Sequence, residues 1–262
     1  RERRRAHFHR GPSVRDRQQI RWRRRRERRR AHFHRGLVSL AQFRSALVAN
    51  ILGAGPPIAA SCGDYDVYRR MARGRLRSLI ADALPRTTGA LGDRWDAVFD
   101  AFLLDVSSPY LRDEVAHFAA LVPAEPPWLP SLAALELASR EVAHLPDLSI
   151  VPVPVALDSV LPFGRVVRHV ASSYRLEETS EFADPGEFSY LVYRDDDDAV
   201  QILRCDGLQS AHLAAICDGV SPLDAVRQVA TARGAPVDAE AVDTLVALVH
   251  ALLERRIFAV LP

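Results

Sequence analysis

Few residues in this chain stand where they could do chemistry together. Cys62, Cys205 and Cys217 show no C-x-x-C spacing and are odd in number. That is the pattern of free thiols in a reducing compartment, not of a zinc site or a disulfide frame. His117, His144, His169, His212 and His250 are scattered without metal-ligand spacing. His212 and His250 fall on expected helices, as surface or core-edge residues. Asp195-Asp196-Asp197-Asp198 offers four carboxylates, but consecutive residues cannot converge on one cation without a shaped loop, so the run reads as a solvated turn. No G-x-S-x-G, H-E-x-x-H or glycine-rich nucleotide loop is present. No catalytic residue, no metal site and no cofactor of the chain's own is therefore expected.

What remains is charge and shape. Arg69, Arg73 and Arg77 recur at i, i+4 and i+8 on one helix face. Like charges at that spacing repel by a few tenths of a kcal/mol, about 0.2–0.5 per pair. The face is either solvated or a dock for an acidic partner, and these three arginines are the candidate contact with a partner enzyme.

The elements that carry these residues are mostly helices. Tyr68, Met71, Ala72, Leu76, Leu79, Ile80 and Ala83 form an apolar stripe at helical period, which Pro85 is expected to end. Trp95, Val98, Phe99, Phe102, Leu103 and Val106 make a second stripe after Gly92. Ser108-Pro109 suits the start of a third, through Leu111, Val115, Phe118 and Val122. Pro123 to Pro130 is a proline-rich connector with Trp128 as its anchor, and Ser131 is expected to cap a helix through Leu132, Leu135 and Val142. Upstream, Leu40, Phe43, Leu47 and Ile51 suggest an earlier helix. Five amphipathic helices with short connectors predict a helical bundle.

The segment Leu40-Ala41-Gln42-Phe43, the pair Tyr68-Arg69, the step Leu84-Pro85, Gly92-Asp93, Ser107-Ser108-Pro109 and Leu135-Glu136 follow one another in a characteristic order. In that order and spacing the chain resembles the HvfC-like family, whose N-terminal domain once carried the label "putative DNA-binding". Leu84 stands where the family usually has phenylalanine and Leu137 where it often has tryptophan, both apolar exchanges. Members are partner proteins of multinuclear non-heme iron oxidative enzymes, and the partner subunit of methanobactin biosynthesis is a relative. The resemblance implies that the irons and the oxidative chemistry belong to the partner enzyme. This chain would bind a ribosomally made precursor peptide and offer it, often at a cysteine, to that enzyme.

Pro146 to Pro162 cannot continue a helix and reads as a stiff linker. Beyond it, Ser189 to Arg194 and Val200 to Arg204 are β-prone runs around the aspartate turn. Leu208 to Cys217 is an expected helix closed by Gly219, Ser221 to Asp224 starts another that runs to Arg233, and Asp238 caps a third. Ile257 to Leu261 reads as a closing strand. A hairpin, three helices and a final strand describe a winged-helix-like module, and the C-terminal half is similar to the peptide-recognition domain of the same family. The expected fold is therefore mainly α, of the α+β kind. An N-terminal helical bundle over 37–145 is followed by a linker over 146–162 and a small winged-helix-like domain over 163–262.

Such a module either reads DNA with its second helix or adds an extended peptide to its sheet edge. Residues 151–262 carry 9 Arg against 17 acids, a net −8, whereas DNA binding draws much of its affinity from neutralising phosphates. The peptide is accordingly placed on Tyr190, Leu191, Val192 and Tyr193 and on Val200 and Ile202. DNA is a partner only under the alternative of a transcriptional regulator, and a plain scaffold is a third reading.

Residues 1–36 carry 16 Arg against 3 acids, and Arg1 to Gly11 recurs letter for letter at Arg26 to Gly36. So biased a repeat cannot bury a core, and is expected to be a disordered tail or upstream DNA read in error with the true start near Val38. No window approaches the ~18 continuous apolar residues of a membrane span. Leu37 to Cys62 has the outline of a lipoprotein signal, but Gln42, Arg44 and Asn50 interrupt it, and the expected location is cytoplasmic.

Overall fold

A computed structural model describes residues 65–105, 111–146, 150–176 and 184–260. The tail, the helix expected over Leu40 to Ile51, Cys62 and the Ser108-Pro109 cap lie outside the described residues. The fold is α+β: mostly helices, with one three-stranded antiparallel sheet in the order β1-β2-β3.

The helical part is α1 (Tyr65–Ala83), α2 (Pro85–Leu91), a 3-10 turn (Gly92–Arg94), α3 (Trp95–Asp105), α4 (Leu111–Ala120) and α5 (Leu129–His144). Leu76, Ile80 and Ala83 of the first stripe are buried, while Met71 is 66% exposed. Pro85 ends one helix and begins the next. Its missing N–H costs nothing at the first helical position, and α2 runs on from it. α5 starts at Leu129 with Trp128 before it, and Ser131 lies inside the first turn without capping it. Trp95, Phe99, Phe102 and Phe118 stack in tilted and edge-on pairs with centroids 5.1–6.0 Å apart, which fixes α3 on α4.

The second part begins with segment 150–166 and continues as β1 (Val167–Tyr174), β2 (Pro185–Arg194), β3 (Val200–Asp206), α6 (Gly207–Cys217), α7 (Pro222–Ala232) and α8 (Ala239–Glu254). β1 has no counterpart in the sequence reading. Its first four residues are all half-buried, and polar Arg168, His169, Ser172 and Ser173 fall on both faces, which hides the period-2 signal. The hairpin and the three helices form where their patterns put them. Ser221 accepts the Asp224 N–H at 3.2 Å, and Asp238 accepts that of Ala241 at 2.9 Å. The closing strand is displaced from the sheet. Val260 bridges Val153, and Phe258 bridges Phe163 with their rings 5.3 Å apart, so Phe258 to Val260 lie between Val153 and Phe163. Gly164 permits this, because a Cβ there would sit 3.0 Å from the backbone of Ala259.

The sheet has a helix layer on each face. α5 packs on β1 and β2; α6 packs on β2 and β3, with α7 and α8 behind it. Strand alternation sorts the side chains. Arg168 faces α5 and pairs with Glu141 at 2.6 Å. Leu191 and Tyr193 face the other way, into a core with Leu213, Ile216, Val226, Leu245, Leu252 and Phe258. From Asp66 onward the described residues belong to one compact unit.

Candidate functional site

Two of the steps singled out in the sequence, Leu84-Pro85 and Leu135-Glu136, meet in space, and what they build is a clamp. The Glu136 carboxylate on α5 accepts the backbone N–H of Arg86 at 2.8 Å and of Thr87 at 2.9 Å, and the Thr87 hydroxyl at 2.7 Å. The first N–H groups of a helix have no partner within it. Leu84, which precedes α2, has no side-chain oxygen to cap them, so a carboxylate 50 residues away does. Arg86 then reaches the Leu176 carbonyl at 2.7 Å, tying α2 to the segment just after β1. Leu84-Pro85 and Leu135-Glu136 are thus one structural device.

The expected arginine dock is engaged within the chain. Arg73 pairs with Asp100 of α3, Arg77 with Asp96, and the Arg77 guanidinium lies 5.4 Å from the Trp95 ring centroid. Two of the three cations thus brace α1 against α3. The Arg69 side chain lies outside the described residues.

The expected peptide seat divides in two. Tyr190, Leu191, Val192 and Tyr193 are on β2, which pairs with β1 on one side and β3 on the other. All four are buried, and the Tyr190 hydroxyl accepts the Leu176 N–H at 2.7 Å. A central strand has no free edge, so no further strand can add there. Val200 and Ile202 are on β3, an outer strand among the described residues, and Ile202 is 47% exposed. The sequence shows two β-prone runs but not which is central; that depends on β1, the strand it hides.

The aspartate turn is a device of the hairpin. The Asp195 carboxylate accepts the N–H groups of Asp197 and Ala199 and the Gln201 amide, at 3.0, 2.9 and 2.7 Å. The hydrogen bond from Gln201, followed by that from Ala199, lowers its pKa. Asp196 pairs with Arg165 and with Arg256. Among the described residues no group of three His, Cys, Asp or Glu is arranged to hold a metal.

The helix that would read DNA, α7, has little basic surface to spare. Arg227 pairs with Asp224 at 2.9 Å, and Arg233 with Glu187 at 3.0 Å. Asp224 has its pKa lowered by the Ser221 hydroxyl first and by Arg227 second. Both described cysteines are free; burial pushes Cys205 up to about 11 and Cys217 up to about 12, so both stay unreactive thiols.

Two polar groupings escape the sequence reading. His169 Nε2 lies 2.9 Å from Ser189 Oγ, and the Ser210 hydroxyl donates to the same oxygen at 2.9 Å. These residues are 20 and 21 positions apart, joined only by sheet register and by the packing of α6, so no local motif announces them. His212, also on α6, is 0% exposed, and neither ring nitrogen has a hydrogen-bond partner. Burial first, and Arg233 second, lower its pKa. No helix among the described residues is long and apolar enough to cross a membrane. No family model and no curated protein matches this sequence.

Proposed function

We propose that the chain is a non-catalytic partner subunit that binds a ribosomally made precursor peptide and presents it to a multinuclear non-heme iron oxidase. The observation that carries the reading is the outer edge of β3. Among the described residues it has a strand on one side only, exposes Gln201 and Ile202, and belongs to a region of net charge −8. Strand addition draws affinity from backbone hydrogen bonds and needs no basic surface. The resemblance to the HvfC-like family supports the same reading. In it, the helices over 65–144 form the bundle of that family, and the sheet with its three following helices is the winged-helix-like recognition module. The peptide lies along Val200 and Ile202. The iron belongs to the partner enzyme, and the complex works in the cytoplasm. The oxidase contact is placed on the helical part around Arg69, Arg73 and Arg77, of which Arg73 and Arg77 pair with the exposed Asp100 and Asp96.

The alternative is a transcriptional regulator reading duplex DNA through α7. The pairing of Arg227 and Arg233 with acids disfavours it, since phosphate contacts would have to break those pairs. Two binding measurements separate the readings. Residues 37–262 are expected to co-elute with the oxidase and its peptide on size exclusion, and to leave operator-length duplexes unshifted in a gel. Sequence-specific retardation by that fragment would favour the regulator.

A further inference from the structure

The β3 edge offers more than an open backbone, because the side chains on one of its faces stand in a fixed order. In an antiparallel sheet, residues directly opposite each other share a face. Arg168, Val192 and Ile202 form one row across the three strands. Val170, Tyr190 and Arg204 form the next, and Ser172, Phe188 and Asp206 the third. Arg168 pairs with Glu141 of α5, so all three rows lie on the α5 side of the sheet.

α5 packs chiefly on β1 and β2, and its cover thins out at β3. In the first row Val192 is 0% exposed, while Ile202 beside it is 47% exposed. In the second and third, the side chains of Arg204 and Asp206 are 30% and 61% exposed. Among the described residues, no backbone group bonds β3 from its outer side. Each row therefore has room for a fourth residue, in the plane of the sheet and beyond β3.

The three side chains that would meet it differ in kind: Ile202 is apolar, Arg204 a cation and Asp206 an anion. Arg204 and Asp206 serve one another weakly, with nitrogen and oxygen 3.6 Å apart, too far for a hydrogen bond. Asp206 precedes α6, yet its carboxylate caps none of the helix N–H groups. On the opposite face, Leu203 and Cys205 belong to the core under α6. A charge brought beside them would lose water without gaining a partner.

An added strand would be read row by row. Apolar pairs and opposite charges directly across two strands stabilise, and like charges there destabilise. Both existing strand pairings are antiparallel, the sense with the more stable ladder. In that sense the N-terminal end of the added segment faces Asp206, and its C-terminal end faces Ile202.

We propose that the β3 edge selects an antiparallel peptide segment that runs basic, uncharged, acidic, uncharged, apolar from its N-terminal end. The basic residue faces Asp206, the acidic one faces Arg204, and the apolar one covers Ile202. The assignment rests on the peptide-binding reading, and adds to it the class of segment and the direction in which it lies.

The test is a titration of the full 262-residue chain, isotope-labelled and followed through its backbone amide shifts. The probes are Ac-Gly-Lys-Thr-Glu-Val-Ile-Gly-NH2 and its charge-swapped twin Ac-Gly-Glu-Thr-Lys-Val-Ile-Gly-NH2, equal in composition and net charge. The first should give saturable shifts along residues 200–206. The twin should bind about tenfold more weakly, because two opposite-charge pairs become two like-charge pairs. The double variant Arg204→Glu/Asp206→Lys keeps the net charge and should invert the preference. Ile202→Ser should weaken both peptides several-fold. Equal affinity of the two peptides for the parent chain would overturn the assignment, and that comparison needs no variant to fold. A folded double variant that still prefers the first peptide would overturn it too. In either case, shifts that stay on β3 would leave the peptide reading standing. Shifts confined to β1 or to the helices, or none with either peptide, would also overturn the assignment, whereas the peptide reading is decided by the complex with the oxidase.

Discussion

The Glu136 clamp and the buried His212 use polar groups in opposite ways. In the clamp, the Glu136 carboxylate takes the Thr87 hydroxyl and the first N–H groups of α2. On α6, His212 is sealed in with no hydrogen-bond partner for either nitrogen. A fully matched polar cluster is explained by the fold it holds together. An unmatched one costs free energy that the fold itself does not return. Leu84-Pro85 and Leu135-Glu136 are thus architecture, and His212 is a cost that the fold carries.

The largest test of that contrast is at the clamp. Glu136→Ala removes three hydrogen bonds to a part-buried carboxylate and exposes the start of α2 inside the protein. It should cost roughly 2–4 kcal/mol in urea denaturation. Glu136→Gln keeps an acceptor and should lose about half as much. An alanine variant as stable as the parent would remove the clamp from the account.

His212→Leu comes next and has the opposite sign. It trades an unsatisfied imidazole for an apolar side chain and should raise stability by about 1–2 kcal/mol, read by the same denaturation. It should also flatten the pH dependence. The folded pKa of His212 lies below the ordinary value of 6.5, so between the two the unfolded chain binds more protons. Stability is therefore highest above that range and falls as pH drops below 6.5, and the leucine variant should lose less of it. Identical pH profiles for the two proteins would show that His212 is not what titrates.

The smallest effect belongs to the arginine braces. Arg73→Ala and Arg77→Ala break pairs with exposed aspartates, and each should cost under about 1 kcal/mol. Each should also weaken the complex with the oxidase, measured by calorimetry. Unchanged affinity in both variants would remove these residues from the interface.

The comparison also explains what was legible in the sequence. Helices with strong apolar stripes or good caps, such as those at Ser221 and Asp238, form where their residues say. Features that depend on distant partners do not show. Arg73 and Arg77 look like a free basic face because Asp96 and Asp100 sit on another helix. Tyr190 to Tyr193 look like an edge because β1, whose polar residues mask its alternation, is invisible as a strand. Glu136 carries a motif without its role, since the groups it caps are 49 and 50 residues away. The Ser189–Ser210 pair has no local signature at all.

One measurement tests the central claim most directly: mass analysis of the precursor peptide after incubation with the iron oxidase alone, with this chain alone, and with both. The account predicts modified peptide only in the mixture. Full modification by the oxidase alone, or any turnover by the isolated chain, would contradict it.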